Sequence, residues 1–147
     1  MSDSLQRLLP DLGLPRDAVD WLVMLYDMTQ VFDDMADGDA PARPDLDKCI
    51  WNALVAQYCN PFFQAHHANL LPGVATMILK WQASDKAERE GKPCAMSYAW
   101  RAGFYDVVLL VCQLCLGVVR ATELSATVMR LYGERFEDYQ REFNFHA

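Results

Sequence analysis

Five carboxylates, Asp27, Asp33, Asp34, Asp37 and Asp39, fall within the fourteen residues Tyr26-Asp27-Met28-Thr29-Gln30-Val31-Phe32-Asp33-Asp34-Met35-Ala36-Asp37-Gly38-Asp39. On a helix Asp27 and Asp34 stand seven positions apart, Gln30 three beyond Asp27 and Asp37 three beyond Asp34. These four side chains therefore form one polar stripe. Like charges at this spacing oppose each other, and Asp34 and Asp37 fall near the negative end of the helix, where further carboxylates are unfavourable. Two arrangements offset that cost. A divalent cation such as Mg²⁺ accepts one or two carboxylates together with waters or substrate phosphates. Alternatively the helix end is solvated, with Arg or Lys nearby.

Asp33-Asp34-Met35-Ala36-Asp37 fits the D-D-x-x-D pattern. On those five residues the chain resembles the first aspartate-rich motif of the trans-isoprenyl diphosphate synthases and related all-helical terpenoid enzymes. The resemblance implies a helical fold, Mg²⁺ as cofactor and a diphosphate ligand, with Asp33 and Asp37 holding the metal and Asp34 supporting them. The second aspartate-rich motif of that family has no counterpart here beyond Glu137-Asp138.

Asp106 interrupts the apolar run around Phe104 and Val107, and an unpaired carboxylate in a buried helix is costly. It accepts an ion pair from an arginine, or it meets the first long helix and joins Asp27 or Asp34 as an interhelical ligand. Arg101 and Tyr105 stand one turn apart and form a donor pair. Asn60, Gln64 and His67 follow one another at helical spacing as a polar seam, for capping and local hydrogen bonds or for ligand contact. Adjacent His66 and His67 diverge by about 100 degrees on a helix and are no same-face metal pair. Glu134 and Glu137 read as solvated helix surface.

These side chains need helices to position them. Apolar residues from Val19 to Phe32 recur at spacings of three and four, predicting a helix from near Pro15 to near Gly38. A shorter helix, capped by Asp45 or Asp47, is expected to end at Asn60-Pro61. A third runs from Pro61 to about Arg89, with a kink or interruption near Pro72-Gly73. A fourth starts around Ser97 and includes the apolar run 104–119, which must be covered on several sides. A fifth starts near Thr122 or Ser125 and continues past Gly133 to Tyr139. No segment alternates as a strand does. The expected fold is all-α, a compact bundle of four to five mainly antiparallel helices in one domain, 1–147.

Of the 147 residues 52% are hydrophobic and 22% charged, enough to bury a core and too few residues for a separate cofactor module. The formal charge of −7 disfavours nucleic acid as a partner. The longest apolar run, 107–119, is too short to span a membrane, and residues 1–10 show no secretory pattern. Five cysteines, an odd number, suit reduced core thiols in a cytoplasmic protein better than a disulfide framework. Glycine-rich phosphate loops, G-x-S-x-G and H-E-x-x-H are absent from the sequence.

Two functions remain. The leading one is a helical interaction or assembly protein, homodimeric or with a protein partner, anchored by some of Trp21, Trp51, Trp81, Trp100, Tyr132 and Phe136. The other is Mg²⁺-dependent binding or transformation of a diphosphate compound at the acidic helix, with a partly apolar pocket beside it.

Overall fold

The computed structural model describes residues 2–146 and divides them into two compact units, one ending at His67 and the other beginning at Ala68. The chain is all-α, with no strand among the described residues. The expected four to five helices understate the count, because several of the expected segments are subdivided.

The first unit opens with α1 (Ser2–Leu8), a helix absent from the sequence expectation, and a 3-10 turn (Pro10–Leu12). The turn closes on Gly13, whose φ of +86° suits a residue without a Cβ. Leu5, Leu9, Leu12 and Leu14 are buried, and α1 packs against α2 (Arg16–Ala36). The i, i+4 pair Leu5 and Leu9 gives a short helix an apolar stripe, and tertiary packing of that stripe stabilises a segment too short to be helical alone. The bounds of α2 fall within two residues of those read from the sequence. Its inward face, including Trp21, Leu22 and Leu25, is buried, and Trp21 meets the rings of Phe62 and Phe63 at 6.1 and 6.0 Å.

Residues 43–59 form one helical stretch of three parts: α3 (Arg43–Trp51), a π-helical turn (Asn52–Ala56) and α4 (Gln57–Cys59). Neither Asp45 nor Asp47 caps it. Pro44 occupies the first turn, which needs no backbone donor, and Asp47 instead pairs with Arg43 at 2.8 Å. The stretch ends at Asn60, as expected. The Asn60 side chain caps the next helix by accepting the Phe63 N–H at 2.9 Å and donates to the Asp17 carbonyl at 2.9 Å.

Helix α5 (Pro61–Arg89) passes through Pro72 as one helix, so of the expected kink or interruption the interruption does not occur. Leu70 and Met77, two residues before and five after it, are both buried, and that packing holds the helix across the missing donor. In the second unit the part of α5 from Ala68 onward approaches α7 (Gly103–Leu116) closely. A Cβ on Gly73 would lie 2.6 Å from Leu110, and one on Gly103 would lie 3.2–3.3 Å from Met77.

The expected fourth helix is two, α6 (Ala95–Trp100) and α7, divided at Arg101-Ala102. Cys94 is the N-cap of α6, and Ser97, expected as the cap, is the third helical residue, its hydroxyl accepting the Cys94 N–H at 2.8 Å. Gly117, with φ +85°, ends α7 and leads directly into α8 (Val118–Met129). Helix α8 therefore starts earlier than Thr122 or Ser125. Both hydroxyls donate to carbonyls within the helix, of Val118 and Thr122, rather than capping its start. The chain breaks again at 130–135 before α9 (Phe136–Phe143), where one continuous helix was expected. Arg135 is extended there (φ −83°, ψ 141°).

All five cysteines are free. Cys49 and Cys112 are buried as expected, but Cys59 is exposed and Cys94 and Cys115 are only partly covered. No helix is long and apolar enough to cross a membrane among the described residues.

Candidate functional site

The acidic helix lines a cavity. A cleft of about 330 Å³ in the first unit is walled by Tyr26, Asp27, Gln30, Val31 and Asp34 of α2 and by Asp45, Lys48, Cys49 and Asn52 of residues 43–59, with Pro41 from the connection. Asp27, Gln30 and Asp34 are three members of the polar stripe, brought to one wall by helical periodicity. A second cavity of about 630 Å³ shares Asp27, Lys48 and Asn52 with the first. The Asp27–Lys48 ion pair, 3.6 Å long, thus stands between two concavities, with the carboxylate a quarter exposed and the ammonium largely in solvent.

Asn52 has the most unusual environment in this cleft. It is 7% exposed, yet its amide makes no hydrogen bond to the protein, and it lines both cavities. It opens the π-helical turn, an irregularity often found at functional positions. Tyr26, on the opposite wall, is buried, and burial together with the nearby Asp27 charge raises its phenol above the ordinary value.

The remaining sequence candidates are distributed as follows. Asp33 is half-buried near the end of α2, and Asp37 is its exposed C-cap, with its N–H bonded to the Asp33 carbonyl at 3.0 Å. Neither lines the cleft. Among the described residues no three His, Cys, Asp or Glu side chains gather closely enough to hold a metal ion. The residues described therefore do not form a protein-built Mg²⁺ shell. Asp106, in the second unit, pairs with Lys80 at 2.5 Å, so a lysine supplies the ion pair for which an arginine was expected. In the Asn60 seam the Gln64 amide donates to the Tyr58 carbonyl at 2.8 Å and His67 Nδ1 lies 3.2 Å from the Gln64 carbonyl. Both side chains are exposed, and all three residues contact backbone groups, Gln64 and His67 locally and Asn60 also at Asp17 on α2.

Arg101 organises a polar network in the second unit. Its guanidinium lies 3.3 Å from Glu134, 3.6 Å from Glu142 and 3.7 Å from Glu88, and over the rings of Tyr139 and Phe143. Burial works against its charge, but the three carboxylates outweigh burial and hold its pKa above the ordinary value. Tyr132 donates to the Glu134 carboxylate at 2.7 Å, and Tyr98 to the Glu134 carbonyl at 2.5 Å. Buried Tyr139 donates to Glu88 at 2.9 Å and shares a 2.6 Å hydrogen bond with Ser97. Burial, with the Glu88 carboxylate adding to it, pushes the Tyr139 phenol up to about 12 despite the Ser97 bond. Tyr105, expected to form a donor pair with Arg101, is buried against Phe104 and Tyr132. Glu134 is not solvated surface: it is three-quarters covered and paired, whereas Glu137 is exposed.

Sequence reasoning found Asp27, Gln30 and Asp34 but missed Asp45, Lys48 and Asn52 as members of the same cleft. Asp45, Lys48, Cys49 and Asn52 recur at i, i+3, i+4 and i+7, which is the signal that marks one helix face. No protein-family model, no curated protein and no solved structure matches the chain.

Proposed function

We propose that the protein is a cytoplasmic helical assembly module that pairs with a second copy of itself through the outward face of residues 43–59. One observation carries this reading. Ile50, Trp51, Leu54 and Tyr58 lie on the face opposite the cleft and are all exposed, Trp51 by 62% and Leu54 by 72%. Aromatic and aliphatic side chains in this density on one helix are characteristic of buried interface cores. The face also suits self-pairing. Every charge of the stretch, Arg43, Asp45, Asp47 and Lys48, precedes residue 49, and residues 50–59 carry none. An antiparallel two-fold contact sets the charged end of one helix beside the neutral end of the other, so like charges do not oppose. Free thiols at all five cysteines agree with a reducing compartment.

Sedimentation equilibrium across a concentration series tests the reading. The wild type is expected to show a mass rising from monomer toward dimer, and the double variant Trp51→Glu, Leu54→Glu to remain monomeric with unchanged helicity. A monomeric mass at every wild-type concentration overturns the proposal.

A further inference from the structure

We propose that the cleft between α2 and residues 43–59 binds an aliphatic polyamine, with Asp34 and Asp45 pairing its ammonium groups and Asn52 accepting a hydrogen bond from it. The charge balance selects the class of ligand. Three carboxylates, Asp27, Asp34 and Asp45, line the cleft against one ammonium, Lys48. Asp27 is already paired with Lys48, whereas Asp34 and Asp45 have no side-chain partner among the described residues. A cleft with this surplus repels an anion and attracts a cation.

The polar geometry selects an extended cation over a metal ion. Asp34 comes from the end of α2 and Asp45 from the start of α3, and no three carboxylates converge as a coordination shell requires. Two separated anionic groups suit two separated charges on one flexible chain. Val31, Pro41 and Cys49, in the same lining, offer apolar wall to the methylenes between them. The volume, about 330 Å³, is at the small end for ligand sites and suits a short chain better than a folded segment. Asn52 supplies the independent indication. The residue is 7% exposed and its amide has no hydrogen bond to the protein, so its oxygen and nitrogen are left to be satisfied from the cavities that Asn52 lines. An ammonium group satisfies the oxygen with a charge-assisted bond.

Isothermal titration calorimetry of the full chain with spermidine at physiological ionic strength tests the proposal. Saturable one-site binding is expected. The double variant Asp34→Asn, Asp45→Asn and the single variant Asn52→Ala should each weaken it by roughly tenfold or more, with helicity by circular dichroism unchanged. A charge-matched control, Glu123→Gln with Glu137→Gln on exposed surface of the second unit, should leave affinity within about twofold, as expected for screened distant charges. Equal weakening in the control overturns the proposal in favour of general charge attraction. Mg²⁺ displacing spermidine at equimolar concentration overturns it in favour of a metal site. A lysine-rich peptide that binds more tightly through the same residues overturns it in favour of a protein segment, and absence of any binding overturns it outright.

Discussion

The two units differ in how far their polar side chains are tied to one another. Around Arg101 in the second unit, three carboxylates, three tyrosines and two serines are joined largely to one another, with α5, α6 and α9 all contributing, although Arg101 Nη1 itself is buried beside the carboxylates without a hydrogen bond. In the first unit Asn52, 7% exposed, has no side-chain hydrogen bond to the protein, and exposed Asp34 and Asp45 line the same cavity without a counter-charge. A closed network stabilises a fold, whereas open hydrogen-bonding capacity beside a cavity is where a ligand gains affinity. Charge alone does not separate the regions, since both hold three carboxylates around one cation. What separates them is how far the carboxylates and hydroxyls are tied to neighbouring side chains, since a buried polar atom without a hydrogen bond occurs in both units, Trp21 Nε1 in the first and Arg101 Nη1 in the second.

The contrast breaks most readily at Arg101. Arg101→Ala leaves Glu88 and Glu134 as uncompensated, mostly covered carboxylates. Removal of one partner from a buried ion network costs about 3–5 kcal/mol, and the quarter of the side chain that remains exposed reduces this to about 2–4. Urea denaturation followed by circular dichroism measures the loss. A cost near that of an ordinary surface arginine would show that the network is not the fastening inferred for it. Tyr139→Phe comes next, at about 1–2 kcal/mol, because it deprives buried Ser97 and half-buried Glu88 of a hydrogen bond while keeping the ring.

Acidification sharpens the same comparison. Burial raises the Glu88 carboxyl above its ordinary 4.5, against the opposing hydrogen bonds from Tyr139 and Ser84 and the charge of Arg101. The folded state then holds this proton to higher pH than the unfolded state does. The contribution of Glu88 therefore declines as pH rises from its ordinary value through its folded pKa, and is recovered as pH is lowered again. Thermal unfolding should show Glu88→Gln losing ground to the wild type between pH 7 and pH 4.5. A pH-independent difference between the two proteins contradicts the assignment.

The smallest effects are expected in the cleft. Lys48→Ala removes an ion pair whose cation is 65% exposed and should cost less than about 1 kcal/mol. Asp34→Asn should leave the unfolding temperature unchanged or slightly higher, because it withdraws a negative charge from the C-terminal end of α2. A pronounced destabilisation by either change would place the cleft among the closed networks and remove its distinction from the second unit.

Much of the helical pattern was legible because it is local. The bounds of α2, the boundary at Asn60-Pro61 and the end of α5 at Arg89 follow from periodicity, capping and proline chemistry, all set by residues a few positions apart. The errors have local causes too. Thr122 and Ser125 look like caps in sequence, but a hydroxyl satisfies a carbonyl one turn back equally well. The break at Arg101-Ala102 lacks any strong punctuating residue before Gly103, and Pro72 lies within a helix that its buried neighbours hold together. Half of the cleft was readable in the same way: Asp27, Gln30 and Asp34 share a face because 3.6 residues make a turn.

By itself the sequence determined an all-helical chain, acidic overall, with one polar stripe on its first long helix, since each property depends on composition or on spacing within one element. Tertiary structure alone decided that Lys48 meets Asp27, that Lys80 and not an arginine meets Asp106, and that Asn52 lies largely buried between two cavities. The register of one helix against another determines such pairings. That register follows from the packing of whole apolar faces, which no short run of residues encodes.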